Sequence, residues 1–310
     1  MNKNGKILIT PRSLTKSGHP ALDTLKKAGY ELVFSTPGKQ PDEKELIELL
    51  SDCVGYLAGV EKISAEVLKG AGKLKVISRN GTGIDNIDLK TAKELNIKIC
   101  RAEEANTRGV AELTIGLIFS LVRYIPFSDR KMKEEKWERK EGIELQNRTL
   151  GIIGCGKIGR QVAMMALSLG MKVVAYDVIR DSSFLPAGDF SWADLNTLLK
   201  QSDIISLHCP PLKNGESLIN KDIIEKMKNG VYLINAARAD LIDEKAVLKA
   251  LFENKIAGFA LDVFKKEPPV DNPLVLHERV IATPHIGGYT NESISRATQI
   301  AVNNLLKYLS

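Results

Sequence analysis

Three side chains of complementary chemistry follow predicted strands in the second half of the sequence. Arg238 directly follows an apolar run, Glu267 precedes two prolines, and His285 stands between a proline and two glycines. A guanidinium binds a carboxylate through two parallel hydrogen bonds, and an imidazole transfers protons near neutral pH. A carboxylate such as Glu267 can hold and polarise that imidazole. Together the three could bind a hydroxy acid and remove its hydroxyl proton, whereas singly Arg238 and Glu267 are equally well ordinary surface residues.

The other histidines are weaker candidates for proton transfer. His208 ends an apolar run and is followed by Cys209 and Pro210, which places it near a possible cofactor, although packing is the favoured interpretation. His19 and His277 lie in polar stretches that are typical of surface loops.

A glycine-rich stretch near the middle of the chain has the flanks of a dinucleotide-binding turn. An apolar strand precedes it, a helical pattern follows it, and Asp177 closes the next apolar strand. Glycines permit the tight turn and a close approach to a pyrophosphate, which the helix N-terminus stabilises. The Asp177 carboxylate can bind ribose hydroxyls and would repel a 2′-phosphate, so we expect NAD as the cofactor. The predicted turn residues are Gly154, Cys155, Gly156, Lys157, Ile158 and Gly159.

A second glycine-rich turn joins a strand to a helix in the first hundred residues. Its amides could form an anion-binding concavity, although a plain glycine turn fits the spacing as well. The candidate residues are Arg79, Asn80, Gly81, Thr82 and Gly83.

The elements around these residues alternate between strand and helix, which predicts α/β architecture with parallel sheets. We predict two doubly wound domains: a discontinuous flavodoxin-like domain formed by residues 1–105 and 286–310, and a Rossmann domain formed by residues 106–285 with six strands. The last helix, within residues 291–309, should return to the first domain. Ligands of such folds bind beyond the carboxyl ends of the strands, so we expect the site in the cleft between the domains.

Composition narrows the class of protein. The 310 residues are 44% hydrophobic and 26% charged, which is typical of a globular protein. The net charge of +6 does not indicate a nucleic-acid-binding surface. The sequence shows neither an apolar run of membrane-spanning length nor a signal-peptide core, so we expect a cytoplasmic protein that binds no membrane. Four scattered cysteines predict reduced thiols and no metal site.

Several long motifs, in order along nearly the whole chain, resemble the D-isomer-specific 2-hydroxyacid dehydrogenase family, most closely its phosphoglycerate dehydrogenase branch. The motifs are Arg79 to Asp88, Asn106-Thr107-Arg108, Val110-Ala111-Glu112, Lys136 to Arg139, Gly154 to Gly159, Asn235 to Arg238, Leu261 to Phe264 with Glu267-Pro268-Pro269, and Thr283 to Gly288.

The resemblance implies an NAD-dependent oxidoreductase and a role for each site residue. Arg238 binds the substrate carboxylate and 2-oxo group, His285 is the acid/base, and Glu267 pairs with it and favours its protonated form. Asp262 holds the nicotinamide carboxamide. The amides of Asn80 to Gly83 bind the substrate carboxylate. His208, Pro210, Ala236 and Gly287 complete the expected cofactor contacts.

The resemblance also implies a homodimer and a small anionic substrate. Residues 110–146 would form a dimerisation arm, and Arg139 would reach toward the partner's site. Arg79 and Arg139 are possible phosphate contacts for 3-phosphoglycerate, the leading substrate. Two departures leave glyoxylate or hydroxypyruvate reduction as an alternative: Asp240 follows closely after Arg238, and Gly59 stands where the family usually has an arginine.

Two other functions share this fold. A corepressor-like protein that binds NAD as a sensor, without turnover, keeps a similar set of residues. Formate dehydrogenase pairs its histidine with glutamine, and Glu267 argues against that activity.

Overall fold

The computed structural model describes residues 4–309, which form two compact units. One unit comprises the described residues up to Asn106 together with those from Gly288 onward, and the other comprises Thr107–Gly287.

The first unit is built on a five-stranded parallel sheet with the strand order 2-1-3-4-5, which is the flavodoxin-like order. Its strands are β1 (Lys6–Ile9), β2 (Glu31–Phe34), β3 (Cys53–Ala58), β4 (Val76–Arg79) and β5 (Lys98–Arg101). The helices between them are α1 (Arg12–Ser17), α2 (Leu22–Lys27), α3 (Glu43–Leu50), α4 (Ala65–Gly70) and α5 (Leu89–Glu94). Helices α3, α4 and α5 begin where Asp42, Ser64 and Asp88 accept a hydrogen bond from a first-turn amide.

The second unit is built on a seven-stranded parallel sheet. Its strands are β6 (Thr149–Ile153), β7 (Lys172–Tyr176), β8 (Phe190–Trp192), β9 (Ile204–Leu207), β10 (Val231–Asn235), β11 (Ile256–Leu261) and β12 (Val280–Ala282), in the spatial order 8-7-6-9-10-11-12. This is the doubly wound dinucleotide-binding order with one further strand at the edge. The two-sheet α/β prediction is therefore confirmed.

The count of six strands for the second sheet was wrong. The strand that the sequence did not predict is β8, a three-residue edge strand whose pattern of burial is incomplete. The rings of Phe190 and Trp192 pack there edge to face, with their centroids 5.6 Å apart.

The helices of the second unit are α6 (Thr107–Val122), α7 (Ile125–Lys133), α8 (Lys157–Ser168), α9 (Leu195–Gln201), α10 (Lys221–Lys226), α11 (Glu244–Phe252) and α12 (Pro273–Leu276). Helix α6 is largely buried against α8 and β11. The chain bends after it, where Tyr124 adopts a left-handed conformation and Pro126 occupies the first turn of α7.

The charged segment after α6 is helical only in part. Helix α7 ends at Lys133, and residues 134–148 follow without regular structure. Among the described residues no single helix is both long and apolar enough to cross a membrane; α6 and α7 meet that criterion only as a pair bent by 63°.

The last helix, α13 (Asn291–Leu309), belongs to the first unit. Its buried residues Ala301, Val302 and Leu305 pack in one apolar cluster with Leu57 of β3 and Val76 of β4.

Candidate active site

The turn between β6 and α8 is shaped by its glycines. Gly154 has φ +93°, and a Cβ there would lie 2.6 Å from the Cys209 amide nitrogen. A Cβ on Gly159 would lie 2.2 Å from the Gly154 carbonyl oxygen, so helix and turn pack without room for a side chain. At Gly156, the N-cap of α8, a Cβ would have no described atom within 4 Å. The N-cap of α8 therefore borders open space, which fits a pyrophosphate bound at the helix N-terminus.

Asp177 closes this turn from the end of β7. Its Oδ2 accepts a hydrogen bond from the Cys155 amide at 2.7 Å, and its Oδ1 accepts one from the Ile179 amide at 3.0 Å. The carboxylate thus lies beside the glycine turn, where a ribose of a dinucleotide would bind. Each oxygen keeps a lone pair for a ribose hydroxyl.

His208 follows β9, the strand next to β6. Its Nε2 lies 2.8 Å from the Ser206 hydroxyl, and its buried Nδ1 has no partner among the described residues. Burial lowers the pKa of His208 to about 4, so the ring is neutral at physiological pH. A buried nitrogen without a partner is costly, and a bound cofactor could satisfy it. Pro210, two residues further on, is exposed.

Arg238 follows β10 in a turn that the buried side chain of Asn235 holds. Asn235 Oδ1 accepts from the Ala237 amide at 3.1 Å, and its Nδ2 donates to the Arg238 carbonyl at 2.8 Å. The Arg238 guanidinium donates to the Ala237 carbonyl at 2.8 Å. Ala236, within this turn, is half-buried.

His285 and Glu267 form a direct pair. His285 Nδ1 lies 2.9 and 3.0 Å from the two carboxylate oxygens of Glu267, and both side chains are partly exposed. The Phe264 amide donates to Glu267 Oε1 at 3.2 Å. Because Nδ1 is engaged and Nε2 bonds no described residue, Nε2 is the nitrogen available to a ligand.

Asp262, which follows β11, is 1% exposed and bonds the turn that carries His285. Its Oδ1 accepts from the Thr283 hydroxyl at 2.6 Å and from the Ile286 amide at 2.8 Å, and its Oδ2 accepts from the Gly287 amide at 2.8 Å. The expected contact with a carboxamide stays a prediction, for which Oδ2 retains a lone pair.

The three predicted catalytic residues follow three neighbouring strands of one sheet. Arg238 follows β10, Glu267 lies in the segment after β11, and His285 follows β12. All these strands are parallel, so they end at the same edge of the sheet as the glycine turn after β6. Thr283 and Asn235 were not predicted as site residues; their proximity to His285 and Arg238 along the chain was the available signal.

The glycine turn after β4 belongs to the first unit. Arg79 Nη1 donates to the Asn80 carbonyl at 2.8 Å, and a Cβ on Gly81 would lie 2.6 Å from that nitrogen. The Arg79 guanidinium therefore lies against the backbone of its own loop. The neighbours Thr82 and Gly83 are partly exposed, and Arg139, in the second unit, lies exposed in the irregular segment after α7.

The loop after β3 contains a buried carboxylate that the sequence did not predict. Glu61 is 2% exposed, and its Oε1 accepts from the Tyr56 hydroxyl at 2.5 Å, from the Gly59 amide at 2.7 Å and from the Thr10 hydroxyl. A Cβ on Gly59 would lie 2.6 Å from Glu61 Oε2. A side chain at position 59 would therefore require the Glu61 carboxylate to move.

The chain is similar to known proteins over most of its length. It is 39% identical over 298 residues to hydroxypyruvate reductase from Thermotoga maritima, covering 93% of this chain and 96% of that protein. It is 42% identical over 264 residues to D-3-phosphoglycerate dehydrogenase from Homo sapiens, covering 84% of this chain. The chain spans about half the length of the phosphoglycerate dehydrogenases that it matches, 50% for the human protein.

A solved structure and a family model agree with these relatives. D-lactate dehydrogenase from Aquifex aeolicus, complexed with NAD and lactic acid, superposes with a TM-score of 0.82 at 31% identity, over 97% of this chain and 95% of that one. Residues 115–287 match the model of the D-isomer specific 2-hydroxyacid dehydrogenase, NAD binding domain. The glycine turn, Asp177 and the unpartnered His208 nitrogen fit that cofactor. The chain therefore belongs to the D-isomer-specific 2-hydroxyacid dehydrogenase family.

Proposed function

We propose that the chain catalyses the NAD-dependent interconversion of a D-2-hydroxy acid and its 2-oxo acid. The observation that carries the proposal is the bond between His285 Nδ1 and the Glu267 carboxylate, at the sheet edge where the dinucleotide turn also lies. With Nδ1 held by a carboxylate, Nε2 of His285 takes the hydroxyl proton during oxidation and returns it during reduction.

The other site residues bind and orient the substrate. NAD, when bound, accepts the hydride from the substrate carbon. Arg238 binds the substrate carboxylate and stabilises charge on its oxygen. The amides of Asn80 to Gly83 are proposed as further carboxylate donors, with Arg79 and Arg139 as contacts for a second anionic group. Proton transfer of this kind accelerates a reaction by a factor of about 10² to 10⁴. The remaining rate enhancement comes from the positioning of the substrate.

Two substrates are proposed. 3-Phosphoglycerate leads, because many relatives at about 40% identity are D-3-phosphoglycerate dehydrogenases. Hydroxypyruvate or glyoxylate is the second candidate, and Gly59 favours it. Glycine supplies no cation at position 59 for a phosphate, and the Glu61 carboxylate lies 2.6 Å from the place where a Cβ would be.

A homodimer is the proposed assembly, with residues 110–146 as the arm. Apolar side chains are exposed in this segment, with Trp137 at 80%, Met132 at 56% and Ile125 at 51%. Several large apolar groups exposed within one short stretch of the chain favour a protein interface there. A cytoplasmic location also remains a proposal.

A screen of substrates tests the proposed function. Purified protein is mixed with NADH and, in turn, with hydroxypyruvate, glyoxylate, pyruvate and 3-phosphohydroxypyruvate, and the loss of reduced nicotinamide absorbance is followed. Turnover with at least one of these acids is expected. Binding of NADH without turnover of any acid would contradict the proposal and favour a corepressor-like sensor.

A further inference from the structure

We propose that Thr283 is a positioning residue, whose hydroxyl acts through Asp262 to fix the turn that carries His285. This inference rests on the proposed function, since it assigns a task to a side chain that supports the proton-transferring group. Thr283 lies directly after β12, and its amide donates to the Leu261 carbonyl of β11 at 3.0 Å. Its backbone is thus hydrogen-bonded to the sheet. This bond fixes the position from which its hydroxyl reaches Asp262.

The turn that carries His285 needs such support. His285 has φ +53°, a left-handed conformation that residues with a side chain rarely adopt. Such conformations cluster at active sites and persist only where the surroundings hold them. The His285 amide donates to the Thr283 carbonyl at 2.9 Å, and the next two amides donate to Asp262.

Asp262 is the group through which the hydroxyl acts. A buried carboxylate is stable only when its oxygens are hydrogen-bonded, and the three bonds to Asp262 come from Thr283, Ile286 and Gly287. The hydroxyl bond is the shortest of the three, at 2.6 Å. A Cβ on Gly287 would lie 3.1 Å from Asp262 Oδ2, so the turn approaches the carboxylate closely.

The imidazole is consequently held from two points on one chain segment. Glu267 orients its ring, and Asp262 fixes its backbone, and both acids lie in the segment that leaves β11. Without the Thr283 hydroxyl, Asp262 keeps only the Ile286 and Gly287 amides, and the bond that ties its carboxylate to the end of β12 is lost. The ring would keep its bond to Glu267 while its Nε2 shifts relative to the substrate, and reaction rates are sensitive to such shifts.

Two variants of Thr283 separate its hydroxyl from its methyl group. Thr283→Val keeps the shape and loses the hydroxyl, and we expect kcat to fall about tenfold while KM for the 2-oxo acid and Kd for NADH change less than about twofold. Thr283→Ser keeps the hydroxyl and should restore kcat to near the wild-type value. Hydrogen exchange at the Ile286 and Gly287 amides should become faster in Thr283→Val and stay unchanged in Thr283→Ser.

Thr114→Val is the matched control. Thr114 is buried in the same unit, and its hydroxyl donates to the Val110 carbonyl of its own helix at 2.8 Å. A kcat of Thr283→Val equal to that of Thr114→Val, or a Thr283→Ser variant as slow as Thr283→Val, would overturn the proposal. If Thr283→Val does not fold, Thr283→Ala and Thr283→Ser, which differ by the hydroxyl alone, make the same comparison. If the wild type reduces no acid, the proposed function fails, and amide exchange at Ile286 and Gly287 still decides whether the hydroxyl holds the turn.

Discussion

At the scale of single residues, the two histidines at the sheet edge have opposite environments. His285 is exposed and paired with a carboxylate, which suits a group that gains and loses a proton. The Nδ1 of His208 is buried, and burial lowers the pKa of the ring to about 4, so His208 stays neutral and can only form hydrogen bonds. We therefore propose that proton transfer belongs to His285 and cofactor contact to His208.

The lowered pKa of His208 predicts a pH dependence of stability. Between pH 6.5 and about 4 this imidazole is protonated in the unfolded chain but not in the folded chain. Protonation therefore favours the unfolded state, and the unfolding free energy decreases as the pH falls through this range. His208→Gln should remove about 1 to 2 kcal/mol of the decrease in unfolding free energy between pH 7 and pH 5. Urea denaturation at both pH values measures it, with His19→Gln as the control; equal decreases in wild type and His208→Gln would refute the assignment.

Asp177 predicts the choice between the two nicotinamide cofactors. Replacing it with Ser removes a charge that would repel a 2′-phosphate and two bonds that hold the turn. The NADH-to-NADPH ratio of kcat/KM should fall about tenfold or more, chiefly through weaker NADH binding. Asp189→Ser, on the exposed edge of the same unit, is the control. An unchanged ratio in Asp177→Ser would count against the role.

At the scale of elements, two glycines of the β6–α8 turn have different surroundings and are expected to serve different purposes. Gly156 borders open space, whereas Gly159 packs against the turn itself. We expect Gly156→Ala to keep its unfolding free energy within about 0.5 kcal/mol and to lose NADH affinity, because the new methyl group occupies phosphate space. Gly159→Ala should lose about 2 kcal/mol or more. Denaturation and NADH titration of both variants test this; unaltered NADH affinity in Gly156→Ala would be inconsistent with a pyrophosphate there.

Elements with strong local patterns were predictable from the sequence, and those set by tertiary contacts were not. Strands such as β6 and β10 are continuous apolar runs buried on both faces, which indicates their place directly. The edge strand β8 and the break at Tyr124 depend on ring packing and on backbone geometry. Likewise Arg238, Glu267 and His285 could be named by type and position, but the buried bonds of Thr283, Asn235 and Glu61 become visible only once the sheets are assembled.

At the scale of the whole molecule, the exposed apolar side chains after α6 predict self-association. Light scattering at micromolar concentration should give about twice the chain mass of 34.1 kDa. Trp137→Ser should weaken the dimer, because this ring is 80% exposed in the single chain. Tyr289→Ser, whose ring is also largely exposed at 69%, is the control outside the arm. A wild-type mass of one chain would contradict the proposed assembly.

The proton transfer assigned to His285 is the claim on which the proposed reaction depends. Its direct test is the kcat of His285→Gln with the best 2-oxo acid, beside the Kd for NADH. Glutamine can still hydrogen-bond but cannot exchange a proton, so kcat should fall at least about 10²-fold while NADH binding persists. His277→Gln, which changes a histidine beyond α12 in the same unit, should keep wild-type kcat. A kcat for His285→Gln close to that of the wild type would contradict the account.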